Sequence, residues 1–304
     1  MAISTGFGGI CTSAILACVA SITTQASAAP PKACGLVKSA KAGAVLRVPF
    51  QVVDGRIYVE TRVNGAGPFR FAVDTGASGM GRADASLVTQ LRLPVEGSGT
   101  TSDGVATSGV DMTRFTSLEL GGLMRRDLQV ITRDYGSRLS PEAKFAGIIG
   151  RDYFGDGLLV IDYPSRTLTF TRGAGLTRGA AGVIGYERAF RVPITIGGVV
   201  AEANLDTGAN VTFVLPKALF DRVSGGPVAA TGGGQLTNTT VDTGRATVRG
   251  PFRIGAASLS DVEVRVSDRY PELLAGAHAL QHFAILIDQR SKSIALCPAK
   301  TGKR

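Results

Sequence analysis

"FAVDTGASGM" occupies residues 71–80 and places a single carboxylate, Asp74, directly after a run of apolar residues. An ionised carboxylate in an apolar setting costs several kcal/mol unless it is compensated or takes up a proton. A second stretch, "NLDTGANVTF" at 204–213, repeats the pattern, so that Asp206 follows Asp74 by 206 − 74 = 132 residues. The chain therefore carries the same unusual carboxylate twice.

The repetition continues beyond these two stretches. "LELGGLMRRDLQV" at 118–130 aligns without a gap with "FRIGAASLSDVEV" at 252–264, and residues 148–170 align likewise with residues 274–296. Blocks that match in the same order indicate a duplicated structural unit.

Each unit is predicted to be rich in strands. Apolar residues alternate with polar ones in "GRIYVETRVN" at 55–64 and "DVEVRV" at 261–266, which is the period of half-buried strands. We predict an all-β fold with short helices, built from two homologous lobes at 45–172 and 183–298. A Gly/Ala-rich linker at 173–182 joins them.

The duplication has a chemical consequence. Two similar lobes related by an approximate twofold axis can bring equivalent residues together where they meet. Asp74 and Asp206 would then face each other across the contact. Two carboxylates at hydrogen-bonding distance share a proton, so that one can act as a base while the other acts as an acid.

The two motifs resemble those of the aspartic peptidases, both pepsin-like and retropepsin-like. "VDTGAS" and "LDTGAN" are each followed by an apolar-apolar-Gly step, at distances of 150 − 74 = 76 and 276 − 206 = 70 residues. The resemblance implies an aspartic endopeptidase that needs no cofactor. Asp74 and Asp206 would activate a water molecule that attacks the scissile carbonyl of a peptide or protein substrate.

The resemblance also implies supporting roles for residues of the two loops. Threonines would bond across the twofold axis, glycines would leave room for backbone N–H groups near the carboxylates, and later glycines would let the chain cross behind each loop. These residues, with the unlike pair that follows each motif, are Thr75, Thr207, Gly76, Gly208, Gly150, Gly276, Ser78 and Asn210.

Some features separate the chain from pepsin-like enzymes. Ala77 and Ala209 stand where those sequences usually carry a hydroxyl residue and where retropepsin-like ones carry Ala. Losing that donor should raise the pKa of the paired carboxyls, so we expect a pH optimum nearer neutrality. Residues 96–109 and 231–244 are rich in Gly, Ser and Thr, which predicts a flap on each lobe. The chain resembles a fused, single-chain relative of the retropepsins. We expect it to act as a monomer with an internal pseudo-twofold axis.

The N-terminal segment has the pattern of a secretory signal peptide. Residues 1–28 contain no charged side chain, include an apolar stretch and end in "ASA". We expect a secreted or periplasmic protein with no transmembrane segment after cleavage. The alternative is lipid anchoring through Cys18, which follows "ILA". Cleavage at residue 28 leaves Cys34 and Cys297, a candidate disulfide in an oxidising compartment.

Charge and histidine content exclude other partners. The net charge is +9, but the basic residues are scattered, so neither nucleic-acid binding nor a polybasic membrane patch is predicted. His278 and His282 have a spacing that suits zinc. However, the sequence lacks the glutamate that a metallopeptidase carries after the first histidine, and no third ligand suggests itself. We therefore predict no metal site.

The Asp-Thr-Gly motifs have alternative interpretations. A third Asp-Thr-Gly, at 242–244, follows the polar stretch "TNTT" and is interpreted as a turn. The main alternative function is a catalytically inactive, peptide-binding protein on the same fold. The motif also resembles the phosphate loop of actin-like ATPases, but that fold needs alternating strands and long helices, which this sequence does not predict.

Overall fold

A computed structural model of the chain describes residues 31–298, except residues 138 and 224. The predicted signal peptide at 1–28 and Cys18 lie outside the described residues. Strands dominate, as predicted, and every described α-helix is short: α1 (Leu36–Ser39), α2 (Ala85–Leu91), α3 (Lys217–Phe220) and α4 (Ala277–Leu280). Single turns of 3₁₀ helix occur at Lys32–Gly35, Pro141–Ala143 and Arg151–Phe154. No helix in the described part of the chain is long and apolar enough to span a membrane.

The first half of the chain supplies eleven of the described strands. They are β1 (Leu46–Pro49), β2 (Gln51–Val53), β3 (Arg56–Val63), β4 (Ala66–Asp74), β5 (Gly81–Asp84), β6 (Ser98–Ser102), β7 (Thr107–Leu120), β8 (Leu123–Arg133), β9 (Gly147–Gly150), β10 (Leu158–Asp162) and β11 (Thr167–Thr171). Eight of them form one sheet in the order β2-β3-β4-β9-β5-β8-β7-β6. This sheet is the body of the first lobe.

The second half repeats the arrangement. Its strands are β12 (Ile184–Gly185), β13 (Arg191–Ile196), β14 (Val199–Asp206), β15 (Phe213–Pro216), β16 (Ala229–Gln235), β17 (Thr240–Val248), β18 (Phe252–Ile254), β19 (Ala257–Leu259), β20 (Val262–Ser267), β21 (Leu273–Gly276), β22 (Phe283–Asp288) and β23 (Ser293–Pro298). The sheet order β14-β21-β15-β20-β17-β16 matches β4-β9-β5-β8-β7-β6 strand for strand. The two lobes are therefore structural repeats.

A third sheet joins the halves, which the sequence analysis did not predict. Its order is β1-β11-β10-β22-β23-β12, and its central pair is β10 with β22. These two strands pair antiparallel from Leu158 opposite Asp288 to Asp162 opposite Ala284. Because both strands are buried along their whole length, the shared sheet forms a continuous apolar floor beneath the two lobes.

Strand pairing brings each motif to the same place in its lobe. Asp74 is the last residue of β4 and pairs with Gly150 on the parallel strand β9. Asp206 is the last residue of β14 and pairs with Gly276 on the parallel strand β21. Both carboxylates thus emerge at the C-terminal end of a strand whose other face packs into the main apolar core.

One sequence interpretation was wrong. The third Asp-Thr-Gly does not form a turn, because residues 242–244 lie inside strand β17 and pair with both β16 and β20. The turn comes earlier, where the Leu236 N–H donates to the Thr239 carbonyl over 2.8 Å. The polar residues before the triplet form the bend, and the buried Thr243 continues the strand.

The two cysteines among the described residues are joined. Cys34 and Cys297 form a disulfide, with their Cα atoms 5.6 Å apart. Cys34 lies in the 3₁₀ turn that precedes α1, and Cys297 lies near the end of β23, so the bond ties the start of the described chain to the shared sheet. A disulfide is typical of proteins in oxidising compartments.

Candidate active site

The two motif carboxylates face each other where the lobes meet. Asp74 and Asp206 are half-buried, and their carboxyl groups hydrogen-bond to each other. Each also lies against the glycine of the opposite loop. A Cβ added to Gly76 would come 2.5 Å from Asp206 Oδ2, and one added to Gly208 would come 2.6 Å from Asp74 Oδ2. Only glycine therefore leaves room for this pairing.

The loops are locked together by their threonines. Thr75 Oγ1 donates to the Leu205 carbonyl over 2.9 Å and accepts from the Thr207 N–H over 3.0 Å. Thr207 Oγ1 makes the equivalent bonds to the Val73 carbonyl, at 2.9 Å, and from the Thr75 N–H, at 3.1 Å. Both threonines are buried. Four bonds between buried groups fix the distance between the two carboxylates, because breaking one would leave a polar group unsatisfied.

The two carboxylates have unequal surroundings. Asp74 Oδ1 accepts from the N–H groups of Gly76, at 2.8 Å, and Ala77, at 3.0 Å. Asp206 Oδ1 accepts a hydrogen bond from a single backbone N–H group, that of Gly208, at 2.8 Å. Burial and the charge of Asp74 raise the pKa of Asp206 far above its ordinary value, although the Gly208 bond and Arg56 oppose the rise. The raised pKa indicates that Asp206 is the carboxyl that retains a proton.

Gly150 and Gly276 lie directly behind the loops. A Cβ on Gly150 would collide with the Gly79 carbonyl, and one on Gly276 with the Val211 carbonyl. The residues that follow them bond to the loops as well. Arg151 N–H donates to the Ala77 carbonyl over 3.0 Å, and Ala277 N–H to the Ala209 carbonyl over 2.7 Å. Each loop is thus held from behind by the strand that pairs with it.

Ser78 and Asn210 occupy equivalent positions but differ in their contacts. Both are exposed. Asn210 accepts a hydrogen bond from Arg56 over 3.1 Å and donates one to Asp54 over 2.6 Å. Arg56 Nε also donates to the Gly208 carbonyl over 2.6 Å, so a first-lobe side chain supports the second-lobe loop.

Sequence analysis missed Asp54 and Arg56. Neither belongs to a repeated motif, and the only available signal was their position at the turn before β3. Asp54 is also the hydrogen-bonding partner of His278, because Asp54 Oδ1 lies 2.9 Å from His278 Nε2. No group of three potential metal-ligating side chains occurs within the described residues.

The two predicted flaps are hairpins whose tips touch each other. β6 and β7 turn at residues 103–106, and β16 and β17 turn at residues 236–239. Asp103 Oδ2 accepts from the N–H groups of Asn238, at 2.7 Å, and Thr239, at 3.1 Å. A Cβ added to Gly104 would lie 3.8 Å from the ring of Tyr270, whose pKa is raised by burial and also by the charge of Asp206. The tips of the two hairpins therefore contact the opposite lobe.

Asn238 is the centre of this tip contact, which we define as Asp103 and Asn238 with their bonded partners. Its amide donates to the carbonyls of Thr101, at 2.8 Å, and Ala106, at 2.9 Å. Its Oδ1 accepts from Ser108 Oγ, at 2.8 Å, and Arg133 Nη1, at 2.7 Å. These bonds run from one lobe to the other, so the contact joins the hairpin of the second lobe to the first lobe.

The chain was matched to a known protein family. A family model described as "Aspartyl protease" matches residues 59–153 and 192–282, and each matched region contains one of the paired motifs. This match confirms the resemblance inferred from the two motifs. No protein in a search of curated sequences matches the chain.

Proposed function

This chain belongs to the aspartyl protease family, and we propose that it is an aspartic endopeptidase that hydrolyses peptide bonds with a water activated by Asp74 and Asp206. The observation that carries the proposal is the pair of half-buried carboxyl groups at the lobe contact, each lying against the glycine of the opposite loop. A purely structural loop would gain nothing from two half-buried carboxyls in contact, because such a pair destabilises the fold.

The roles of the two residues follow from their surroundings. The ionised Asp74 takes a proton from a water molecule held between the carboxyls while the oxygen of that water attacks the scissile carbonyl carbon. The protonated Asp206 donates to the carbonyl oxygen, which would otherwise develop a negative charge. The tetrahedral intermediate then collapses: the proton on Asp74 passes to the leaving amide nitrogen as the C–N bond breaks, and a hydroxyl of the intermediate returns a proton to Asp206, so the pair again holds one proton.

The substrate lies extended between the lobes, 45–172 and 183–298, and below the paired hairpins. Closing the hairpins over it excludes water, which strengthens the electrostatic interactions at the reacting atoms. The enzyme acts as a monomer, because one chain supplies both carboxyls. It is secreted or periplasmic, released from a signal peptide at 1–28, with lipid anchoring through Cys18 as the alternative route. The Cys34–Cys297 disulfide supports the oxidising location.

The test is a peptide-library digest read by mass spectrometry across pH, with wild type, Asp74→Asn and Asp206→Asn. Loss of either acid–base partner should lower hydrolysis by about 10²–10⁴-fold. The chain offers a matched control, because Asp242→Asn changes the Asp of an identical triplet whose side chain is exposed in β17. That variant should keep wild-type activity.

Two outcomes would contradict the proposal. Undiminished hydrolysis in either dyad variant would remove Asp74 and Asp206 from the mechanism. Peptide binding by a folded wild-type protein that cleaves no peptide at any pH would favour the inactive peptide-binding alternative. Circular dichroism of each variant separates loss of chemistry from loss of fold.

A further inference from the structure

The first-lobe sheet places an arginine on the same face as the catalytic pair. Side chains two residues apart on a strand share a face, so Ala72 lies on the face of Asp74. Ala72 is opposite Ile148, and Ile148 is opposite Arg82 on β5. Residues directly opposite each other in neighbouring strands also share a face. Arg82 therefore lies two strands away from Asp74, on the side that faces the substrate cleft.

A second arginine, Arg133, lies beside Arg82 on the same face of the sheet. Arg82 is opposite Ile131 on β8, and Arg133 follows two residues later on the same face. Arg133 reaches across to Asn238 in the hairpin of the other lobe. This face is therefore covered by the opposite hairpin, and a peptide in the cleft would run between them.

Tyr135 completes the group. Its ring lies under the guanidinium of Arg133, with 5.9 Å from Cζ to the ring centroid, and packs against Phe145. Burial raises the pKa of Tyr135, the charge and hydrogen bond of Arg82 and the charge of Arg133 oppose the rise, and the charge of Asp74 adds to it. Tyr135 is thus within electrostatic reach of both arginines and of the catalytic carboxylate.

These groups have donors without acceptors. Arg82 Nε is buried and has no hydrogen-bond partner among the described residues, and the buried Tyr135 hydroxyl, which interacts with Arg82, has no acceptor there for its own proton. Within the same part of the chain, no ion pair joins Arg82 or Arg133 to a carboxylate. Buried donors are normally satisfied, so an unsatisfied pair next to positive charge indicates a missing anionic partner.

We propose that Arg82, Arg133 and Tyr135 form a subsite that binds the side-chain carboxylate of a Glu or Asp in the substrate, close to the scissile bond. The subsite rests on the proposed peptidase function and specifies its substrate class as acidic peptides. A guanidinium and a hydroxyl match the two oxygens of a carboxylate, and bonds between charged partners are the strong ones.

The second lobe carries no arginine at the position equivalent to Arg82. The position eight residues after Asp206, which corresponds to Arg82 eight residues after Asp74, is Val214. Val214 is opposite Leu274, and the neighbouring Arg265 is already engaged in another interaction.

The experiment measures kcat/KM for library-derived peptide pairs that differ only by Glu or Gln at the preferred position. Wild type should favour Glu by at least tenfold, Arg82→Gln should reduce this ratio to about one, and Arg82→Lys should keep part of it. Arg126→Gln is the matched control, since it removes an equal charge from an exposed position on β8 and should keep the wild-type ratio.

Failure of the subsite and failure of the peptidase are distinguishable. A wild-type enzyme that cleaves peptides with no preference for Glu or Asp at any position would overturn the subsite alone. So would an unchanged Glu/Gln ratio in a folded Arg82→Gln variant. If no peptide is cleaved, the peptidase proposal fails. Fluorescence anisotropy with labelled Glu and Gln peptides then decides the subsite by the same ratio of affinities, for wild type against Arg82→Gln.

Discussion

Removal of the Asn238 side chain should separate the hairpin tips. The Asn238→Ala substitution deletes four side-chain hydrogen bonds, to Thr101, Ala106, Ser108 and Arg133. A hydrogen bond contributes about 0.5–1.5 kcal/mol net. Because Asn238 is only half-buried, we take the lower half of that range and expect the closed state to lose about 3 kcal/mol. At 1.4 kcal/mol per tenfold, the open state should become about 100-fold more populated.

Amide hydrogen exchange measures this opening directly. The N–H groups of residues 238 and 239 donate to Asp103 in the other lobe, and the substitution leaves both groups in place. Their exchange should accelerate by about 100-fold, in line with the shifted population. Amides of β10 and β22, in the shared sheet, should keep their wild-type rates, because the tips can separate without disturbing the floor of the molecule.

Thr237→Ala is the control for this prediction. Thr237 is exposed in the same turn, and its side chain makes no hydrogen bond within the part of the chain that the structure describes. In the Thr237→Ala variant, the amides of residues 238 and 239 should exchange at wild-type rates. Unchanged rates at 238 and 239 in Asn238→Ala would refute the reasoning, and equal acceleration in β10 and β22 would show that the substitution destabilises the whole fold instead.

Two further predictions concern the carboxylate pair. Gly76→Ala should lower kcat by at least about 10²-fold while the fold survives, because its Cβ would displace the Asp206 carboxyl; Gly109→Ala, whose Cβ meets no atom within 4 Å, should be neutral in the same peptide assay. Asp206→Asn should raise the melting temperature more at pH 8 than at pH 4. Above pH 4 the folded protein keeps a proton on Asp206 that the unfolded chain releases, so wild-type stability falls as pH rises through the elevated pKa. An equal gain at both pH values would contradict the assigned proton.

The sequence predicted the repeated parts of the fold well, because the two halves of the chain can be aligned with each other and equivalent positions compared. Gly121 and Gly255, matched without a gap, both have positive φ, at 52° and 57°. Asp127 and Asp261 are matched in the same way, at 56° and 52°. Residues in a left-handed conformation are restricted enough that their recurrence at equivalent positions reflects equivalent turns. The local pattern therefore located strands, turns and the Asp-Thr-Gly loops together.

The sequence did not predict the contacts made between the halves. Strands β10 and β22 are buried on both faces, so their sequences show no alternation that would reveal a partner, and either could have closed its own lobe. Arg82 and Tyr135 were missed for a different reason. They lie 53 residues apart, since 135 − 82 = 53, and only the strand order brings β5 beside β8.

A single duplicated chain can treat its two carboxylates differently, which a symmetric dimer of identical chains cannot do before substrate binds. Asp74 receives two backbone N–H bonds and Asp206 one, so the proton has a preferred position in the free enzyme. Arg82 on one side and Val214 on the other extend the difference to the substrate cleft. Under the proposed subsite, an acidic side chain fixes the direction in which the peptide lies. It thereby presents the scissile carbonyl oxygen to the protonated Asp206 rather than to the charged Asp74, and a peptide of reversed sequence should be a poor substrate even though its composition is the same.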